Sequence, residues 1–430
     1  MFARLKLTTA GESHGPKLCA IVEGLPAGLR IDFAALDTLL ARRQRGFGAG
    51  GRMKLERDSP IAFAGAPDGR TTGAPLALEI GNVEWPRWRE RDIEAMTRPR
   101  PGHADLSAAL KYGYDDLRFG LERASARETA ARVAAGGVAL QLLEACGVAI
   151  GARVVAVGAA AAGGGEADEL GDGPAAEAAW RQRWTAAQAD DMGASDAADA
   201  AAFRAEVQRA IAARDSVGGV LEVVAIGLPP GLGTCHVWHG RLDGRLAQAL
   251  MAIPSVKAIE FGAGFAQTRR LGTEVHDAIE RIDDGALRRR TNRCGGLEAG
   301  MSTGAPLVVR VGLKPIATTL RGIDSVDLVT GEPATTAWER SDICAVPRAL
   351  PIAEAVMALV LADALLERVG GDRMAEVQAR VADLPRAHLD ALALRGVPWR
   401  FGPRVDGVGA SDSGDGAGKP AAGRAGPADG

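Results

Sequence analysis

Five short motifs in this 430-residue chain carry residue types that can perform acid–base or anion-binding chemistry. The first, GESHG at 11–15, places His14 between glycines that let a ligand approach the backbone. A histidine in such a position can act as a general acid near neutral pH. The alternative for this motif is an ordinary turn with an exposed histidine.

Two further motifs hold arginines where an anion could bind. In RPRPGHAD at 98–105, two prolines stiffen the loop around Arg100 and His103, which reduces the entropy lost when a ligand binds. A polyproline linker is the alternative. LERASARET at 121–129 begins a long predicted helix, where backbone N–H groups and the helix dipole favour an anion near Ser125. Its charges could instead form only a solvated, salt-bridged helix face.

The remaining two motifs are a Gly-rich run and an aspartate close to arginines. GGLEAGMSTG at 295–304 fits neither a Walker A loop nor a dinucleotide fingerprint. It predicts either turn amides that contact a phosphate-bearing cofactor or a tight hairpin. ERSDICAVPR at 339–348 puts Asp342 just before an apolar helix, where it could carry a proton or cap the helix.

The elements that must position these motifs follow from apolar periodicity and turn signals. Long helices are predicted at 122–146, 243–251 and 351–369, the last of them apolar on all sides and therefore in the interior or in a subunit interface. Two pairs of similar segments repeat the order strand, Gly-Pro turn, helix, loop, strand: GLPAGL at 24–29 with GLPPGL at 227–232, and TGAPL at 72–76 with TGAPL at 303–307. We therefore predict two quasi-equivalent halves about a pseudo-twofold axis.

The composition, with 47% hydrophobic and 24% charged residues, is typical of a soluble globular protein. The net charge of −3 gives no general attraction to nucleic acid or to an anionic membrane, and we predict neither as a partner. No signal peptide or membrane segment is predicted. The five widely spaced cysteines predict free thiols in a reducing cytoplasm and no metal site.

Two segments differ from the rest in composition. Residues 158–200 carry nine acidic and two basic side chains among many alanines and glycines, which predicts a surface excursion with short helices. Residues 401–430 predict a disordered tail. The rest is predicted to form a single domain over 1–400 with a basic balance of charge, which suits an anionic ligand.

In their order and wording, these motifs resemble the chorismate synthase family. The matching stretches include TAGESHGPKL at 9–18, RRQRGFGAGGRMKLERD at 42–58, TRPRPGHADL at 97–106, ERASARETAARVAAG at 122–136, TNRCGGLEAGMSTGAPLVVR at 291–310, KPIATTL at 314–320 and ERSDICAVPRALPIAEA at 339–355. The resemblance covers residues 1–370 apart from the acidic excursion. It implies an α+β fold, a β-α-β sandwich with helical layers between two antiparallel sheets, assembled as a homotetramer.

The resemblance also implies a reaction. 5-Enolpyruvylshikimate 3-phosphate would be converted to chorismate and phosphate by a 1,4-anti elimination that needs reduced FMN without net redox change. A separate flavin reductase or NADPH would supply the electrons. The implied substrate-binding residues are Arg43, Arg100, Arg127 and Arg340. The implied catalytic residues are His14, which looks like the acid for the departing phosphate, His103, which looks like the residue that balances charge on the flavin ring, and Asp342, similar to the aspartate that assists proton transfer at flavin N5.

The implied flavin-binding residues are Arg123, Ala124, Ser125, Pro254, Ser255, Ala299, Lys314, Pro315, Ile316, Ala317, Thr318 and Arg340. The chain departs from the family pattern at Ala49, where a second arginine is usual and Arg52 is the candidate substitute, and at Ala124, Pro254 and Ala299. A cation missing opposite a buried anion leaves a charge uncompensated. The alternatives to an active lyase are therefore a non-catalytic flavin- or anion-binding homologue weakened by Ala49, and a flavin oxidoreductase.

Overall fold

The computed structural model describes residues 3–50, 58–163, 171–282, 284–336 and 342–396, and its two large sheets take their strands from residues 6–81 and 149–313. The strands are β1 (Lys6–Ala10), β2 (Lys17–Glu23), β3 (Pro60–Ala64), β4 (Leu76–Gly81), β5 (Ala149–Val157), β6 (Ala160–Ala161), β7 (Gly219–Ile226), β8 (Val256–Phe261), β9 (Ile279–Arg281), β10 (Leu287–Arg289), β11 (Leu297–Glu298), β12 (Met301–Ser302), β13 (Leu307–Leu313), β14 (Asp324–Val326) and β15 (Pro333–Thr335). The first sheet has the order β1-β2-β4-β3 and the second β6-β5-β7-β13-β8, both antiparallel, while β9/β10, β11/β12 and β14/β15 form two-stranded pairs.

The helices separate and cover these sheets. They are α1 (Phe33–Gln44), α2 (Trp85–Trp88), α3 (Asp105–Tyr112), α4 (Arg118–Ala124), α5 (Thr129–Glu144), α6 (Pro174–Ala189), α7 (Ala197–Ala212), α8 (Leu242–Met251), α9 (Gly264–Gln267), α10 (Gly272–Val275), α11 (Val346–Val369) and α12 (Met374–Ala382). Helices and antiparallel sheets together make the α+β class, as predicted. The described residues up to Ala391 form one compact unit, and Leu392 begins a second. The predicted tail at 401–430 lies outside the described residues.

Helices α5 and α11 form the centre of the core. α5 contacts β1, β2 and β4 of the first sheet, and α11 contacts β5 and β7 of the second. The two helices can approach closely because small residues lie where they meet: a Cβ added at Gly136 would come within 2.4 Å of the Ala355 carbonyl oxygen. Any larger side chain at Gly136 would push the helices apart.

The chain order of the elements is the same in the two sheets. β2, α1, β3 and β4 occur in this order in the first, and β7, α8, β8 and β13 in the second, where α9, α10 and β9 to β12 lie between β8 and β13. In both cases the last strand of the series pairs between the other two, as β2-β4-β3 and β7-β13-β8. Each series begins with a strand followed by one of the two predicted Gly-Pro turns.

Two predicted helices differ from the observed ones. The helix predicted at 122–146 is interrupted at Ser125, whose extended backbone separates α4 from a 3-10 turn (Ala126–Glu128) and α5. α11 begins at Val346, five residues before the predicted start, and includes Pro351. Pro347 occupies the first turn, where its missing N–H costs nothing. Among the described residues α11 is long and apolar enough to cross a membrane, but that apolar window is wholly buried in the protein.

A ladder of alternating charges crosses the second sheet. Arg153 of β5 lies opposite Glu222 of β7, Glu222 opposite Arg310 of β13, and Arg310 opposite Glu260 of β8. Arg153 Nε donates to Glu222 Oε1 at 2.9 Å, and Arg310 Nε donates to Glu222 Oε2 at 3.3 Å. We call these four residues the charge ladder. It follows from the strand register, because directly opposed side chains lie on one face of a sheet.

The N-terminal segment is tied to α11 by one buried carboxylate. Asp363 accepts backbone N–H groups from Ala3, Arg4 and Leu5, at 2.7 Å for the last two. Its other main partner is the guanidinium of Arg245 in α8. The carboxylate is fully buried, so these partners replace the water that it loses on folding.

The acidic excursion forms α6 and α7, as predicted for its short helices. Trp180 and Trp184 of α6 are buried, and α6 packs against β5. Phe203 and Val207 anchor α7 in the main core. The segment 164–170 of this excursion lies outside the described residues.

Candidate active site

Four of the five motifs contribute lining residues to one cavity of about 620 Å³. The Gly-rich run at 295–304 contributes none and instead forms the tight hairpin of β11 and β12, the second of its two predicted interpretations. The walls of the cavity come from the turn after β1, the loop before α3, the break between α4 and α5, the loop before β8, the segment after β13 and the start of α11. Its lining residues include Ser13, His14, Arg43, Gly50, Glu84, Trp88, Arg100, Gly102, His103, Arg118, Ala124, Ser125, Arg127, Ile253, Pro254, Ser255, Leu313, Lys314, Ile316, Ala317, Thr318, Asp342, Arg348 and Ile352.

His14 is held by Glu122 from behind the cavity wall. Its Nδ1 lies 2.7 Å from Glu122 Oε1, and its backbone N–H donates to Glu122 Oε2 at 2.7 Å. Burial alone would raise the pKa of Glu122, but the ring and backbone hydrogen bonds from His14 outweigh it and lower that pKa. The indole of Trp88 lies against the imidazole, with ring centroids 4.6 Å apart.

Arg43 and Arg127 share a single carboxylate. Asp58 Oδ2 accepts from Arg43 Nη2 at 2.7 Å, and both oxygens of Asp58 accept from Arg127 Nη1. Burial would raise the pKa of Asp58, but the charges of the two arginines hold it below its ordinary value. All three side chains are buried, so this ionic group is shielded from solvent.

A third guanidinium joins this group from α11. Arg348 Nε donates to the Arg43 carbonyl oxygen at 2.9 Å, and its Nη1 pairs with Asp342. Burial lowers the pKa of Arg43; the charge of Asp58 opposes this effect, and the charges of Arg348 and Arg127 add to it. Three arginines therefore converge on two carboxylates at one side of the cavity, and we call these five residues the arginine cluster.

Asp342 does not cap α11. The residue at the N-terminal cap is Ala345, whose side chain makes no cap hydrogen bond. The Asp342 carboxylate instead accepts the Gly50 N–H at 2.7 Å and pairs with Arg348. Of the two interpretations that the sequence left open, helix capping is therefore wrong.

The loop before α3 forms a second ionic group. Asp105, at the start of α3, accepts from Arg100 Nε at 2.7 Å and from Arg100 Nη2 at 2.9 Å, and lies 2.6 Å from His103 Nδ1. Burial would raise the pKa of Asp105, but the hydrogen bonds from Arg100 and His103 hold it well below its ordinary value. This carboxylate fixes Arg100 and His103 against the same wall.

The helix break at Ser125 brings a hydroxyl group to the cavity. Ser125 Oγ caps the following turn by accepting from Arg127 N, and it lies 3.1 Å from Ser13 Oγ. Arg123, two residues earlier, points elsewhere: its Nη2 donates to the carbonyl and hydroxyl oxygens of Thr9. Ser125 therefore lines the cavity and Arg123 does not, although the motif at 121–129 predicted both as ligand-binding residues.

The opposite wall is mixed apolar and cationic. Ile253, Leu313 and Ile316 line it beside Lys314. Burial, and then the nearby Lys257, lower the pKa of Lys314. Ser255 has a positive φ of 70° and its carbonyl accepts from Lys314 N at 2.9 Å, so the turn between α8 and β8 holds this wall in place.

Most of the site residues predicted from the sequence line the cavity. Those placed there are His14, His103, Asp342, Arg43, Arg100, Arg127, Ala124, Ser125, Pro254, Ser255, Lys314, Ile316, Ala317 and Thr318. Arg123, Pro315 and Ala299 are not among the lining residues; Ala299 forms the turn between β11 and β12 with a φ of 48°. Arg340 lies outside the described residues, and so does Arg52, the candidate substitute for the arginine missing at Ala49.

Sequence reasoning missed the side chains that hold these groups in place. Glu122 and Asp105 stand inside the predicted motifs, but no role was assigned to them. Asp58 ends the same matching stretch, 42–58, that contains Arg43, and it too had no role assigned to it. Trp88, Glu84 and Arg118 also line the cavity, and only the long-range contacts reveal them.

A separate cluster of possible metal ligands lies near β11. The ligand atoms of Asp277, Cys294 and Glu298 all lie within 4.8 Å of one another. Asp277 already accepts backbone N–H groups from Arg293 and Cys294, and Glu298 pairs with Arg289 through both oxygens. Burial, followed by the hydrogen bond to Asp277, raises the pKa of the Cys294 thiol to about 12, which opposes thiolate formation.

Comparison with known proteins shows what the chain is similar to. The family model described as chorismate synthase matches residues 5–366. The chorismate synthase of Thermobifida fusca (strain YX) is 47% identical over 407 residues, covering 91% of this chain and 100% of that protein. The chorismate synthase of Beutenbergia cavernae is 49% identical over 388 residues, covering 86% and 95%. A crystal structure of chorismate synthase matches with a TM-score of 0.73 at 36% identity, covering 89% of this chain and 98% of that one.

Proposed function

The chain belongs to the chorismate synthase family, lyases of the shikimate pathway, and from this premise we propose that the cavity described above is where it eliminates phosphate from 5-enolpyruvylshikimate 3-phosphate. The arginine cluster is the observation that carries this proposal. The substrate bears one phosphate and two carboxylates, and buried guanidinium groups bind such anions by paired hydrogen bonds. An anion beside Arg43 relieves the mutual repulsion of three arginines around two carboxylates.

Reduced FMN is the proposed cofactor, and the walls of the cavity fit it. Arg100, Lys314 and the hydroxyl groups of Ser125 and Thr318 offer donors to an anionic ligand, and the apolar wall around Ile316 offers a surface for a flat ring. Arg43 Nε has no hydrogen-bond partner among the described residues. When bound, reduced FMN would lend electron density to the substrate and recover it, so that no net oxidation occurs.

The proposed roles of the chain's own residues follow their surroundings. His14 holds the proton for the phosphate oxygen as the C–O bond breaks. Asp342, fixed by Gly50 and Arg348, serves the transfer of the ring proton. His103, backed by Asp105, balances charge beside the flavin ring. Arg43, Arg100 and Arg127 bind the substrate, with Arg340 as a further ligand.

Several wider features belong to the same proposal. We propose a β-α-β sandwich with two pseudo-equivalent halves, assembled as a homotetramer. The matching strand orders of the two sheets support the two pseudo-equivalent halves. The large apolar side chains of Ile61, Phe63 and Trp238 are exposed, and their burial between subunits would support the tetramer. We propose a cytoplasmic location, which agrees with five unpaired cysteines, and reduction of the flavin by NADPH or a separate reductase.

Anaerobic turnover tests the function. The chain, supplied with photoreduced FMN and 5-enolpyruvylshikimate 3-phosphate, is expected to release chorismate and phosphate in equal amounts. His14→Ala and Asp342→Ala are expected to lower kcat by about 10² to 10⁴ without changing the circular dichroism spectrum. His239→Ala, at an exposed turn, is the matched control. Flavin binding without phosphate release would refute the proposal, and net oxidation of FMN in proportion to turnover would indicate an oxidoreductase.

A further inference from the structure

Ser13 and His14 of the motif at 11–15 both contact Glu122 of α4. Ser13 N donates to the Glu122 carbonyl oxygen at 3.1 Å. The backbone N–H of His14 donates to Glu122 Oε2 at 2.7 Å, and His14 Nδ1 lies 2.7 Å from Glu122 Oε1. The backbone and the ring of His14 are thus both fixed relative to the same carboxylate.

An aromatic side chain also restrains the imidazole ring of His14. Trp88 of α2 lies at a ring-centroid distance of 4.6 Å and a tilt of 52° from His14. The guanidinium carbon of Arg91 lies 5.8 Å from the centre of the Trp88 ring. Carboxylate and indole together restrict rotation of the imidazole, whose side chain is only 25% exposed.

The carboxylate also determines where the histidine carries its proton. A carboxylate next to Nδ1 favours the N–H form of that nitrogen. Exchange of a proton with a ligand then falls to Nε2. When the imidazolium donates from Nε2 to the phosphate oxygen, the C–O electron pair leaves with the phosphate, and a neutral ring with Nδ1–H remains bound to Glu122.

We propose that Glu122 is a positioning residue that orients His14 with Nδ1–H toward its own carboxylate and so assigns proton donation to Nε2. This inference rests on the proposed function of His14 as the acid. Glu122 itself is not a lining residue of the cavity, so it acts through His14.

The charge of Glu122 contributes as well as its position. Because His14 lowers the pKa of Glu122, this carboxylate is ionised wherever histidine titrates. In the part of the chain that the structure describes, the charged groups near the pair include Arg118 of α4, Glu84 and Arg91 of the segment around α2, and Glu12 of the turn. Removing the negative charge of Glu122 disfavours the imidazolium.

The first test compares Glu122→Gln with His14→Gln and with Glu280→Gln, a glutamate paired with surface arginines. E122Q is expected to lower kcat about 10²-fold, with KM changed less than about threefold, because the tautomer and orientation of the acid are lost. The alkaline limb of its kcat profile is expected at lower pH than in the unchanged chain. E280Q is expected to keep both kcat and the profile.

The second test needs no turnover. The chain has six histidines, so comparison with H14Q assigns the His14 ring signal in spectra of ¹³C-histidine-labelled protein. In E122Q, the titration midpoint of that signal is expected to move to lower pH. A midpoint equal to that of the unchanged chain overturns the proposal.

The outcomes separate the two levels of inference. Full turnover by H14Q refutes the proposed function of His14 itself. An inactive H14Q together with a fully active E122Q refutes only the role of Glu122. If E122Q does not fold, Glu122→Asp carries the test: its shorter side chain is expected to cost about tenfold in kcat by displacing the ring, and an unchanged kcat contradicts the proposal.

Discussion

The charge ladder and the arginine cluster are both ionic groups with buried members, but they differ in how their charges are matched. In the ladder, two arginines alternate with two glutamates on four neighbouring strands, and each internal member has an opposite charge on both sides. In the cluster, three arginines meet two carboxylates beside a cavity. Both groups have buried members, and among the described residues only the cluster has more charges of one sign than of the other.

This difference suggests how to recognise a site for an anion. Burial of charge is costly unless the charges are paired, so a matched ladder is satisfied by the protein alone. A group with excess positive charge next to open space gains from a ligand that supplies the missing negative charge. The two groups are therefore expected to respond in opposite ways to substitution, one through activity and the other through stability.

The largest expected effect is on activity in the cluster. Arg43→Met is expected to lower kcat/KM about 10³-fold, because a buried charge-assisted contact to the substrate is lost. The melting temperature is expected to change little, since Asp58 keeps Arg127. Steady-state kinetics and calorimetry check both points, with Arg45→Met on the exposed end of α1 as the control. A strongly destabilised but active R43M would mean that the cluster is structural.

The reverse result is expected in the ladder. Glu222→Leu leaves Arg153 and Arg310 without their shared carboxylate, and is expected to reduce the free energy of unfolding by about 3 to 5 kcal/mol. The kcat of the remaining folded protein is expected to be unchanged. Urea unfolding and active-site titration measure the two quantities. A fall in kcat without a change in stability would erase the distinction between the two groups.

Acid titration probes the second ionic group of the cavity wall. The pKa of Asp105 is lowered in the folded state, so this carboxylate adds stability above its unfolded value of about 4, and the stability is lost as the pH falls below that value. The melting temperature of Asp105→Asn is expected to lie below that of the unchanged chain at pH 7, with the difference shrinking below pH 4. A difference that is constant with pH would exclude this charge effect.

The smallest expected effect is at the outer end of the ladder. Glu260 is 26% exposed at its side chain and lies 3.7 Å from Arg310 Nη1. Because solvent screens this pair, Glu260→Gln is expected to reduce the free energy of unfolding by less than about 1 kcal/mol. A loss as large as that of Glu222→Leu would show that the ladder acts as one cooperative unit.

The sequence located the side chains that line the cavity better than the side chains that support them. His14, Arg100 and Arg127 could be predicted because the residues around them in the chain restrict the local backbone and supply the matching chemistry. Asp58 could not, because its pairing with Arg127 depends on how α1, β3 and α5 pack. The charge ladder was equally hidden, since its four members meet only through strand register.

Local signals also decided which helix limits could be predicted. The apolar periodicity that predicts one helix over 122–146 continues across Ser125, and only tertiary contacts such as that with Ser13 favour the break. For α11, Pro351 looked like a helix start, although the first turn of the helix holds Pro347. Apolar periodicity predicts which face of a helix is buried, but it does not predict where the helix is interrupted beside a ligand site.

The buried carboxylate of Asp363 has a consequence for the synthesis of the protein. The segment preceding β1 finds its hydrogen-bond acceptor about 360 positions later in the chain. At about 5 to 20 residues per second, the ribosome delivers that acceptor roughly 20 to 70 s after the segment itself. Until then the first sheet lacks the tie that holds its N-terminal edge to the core. We therefore expect the final docking of this sheet to follow translation of α11, so that chains shortened before Asp363 are more readily digested by proteases at their first residues.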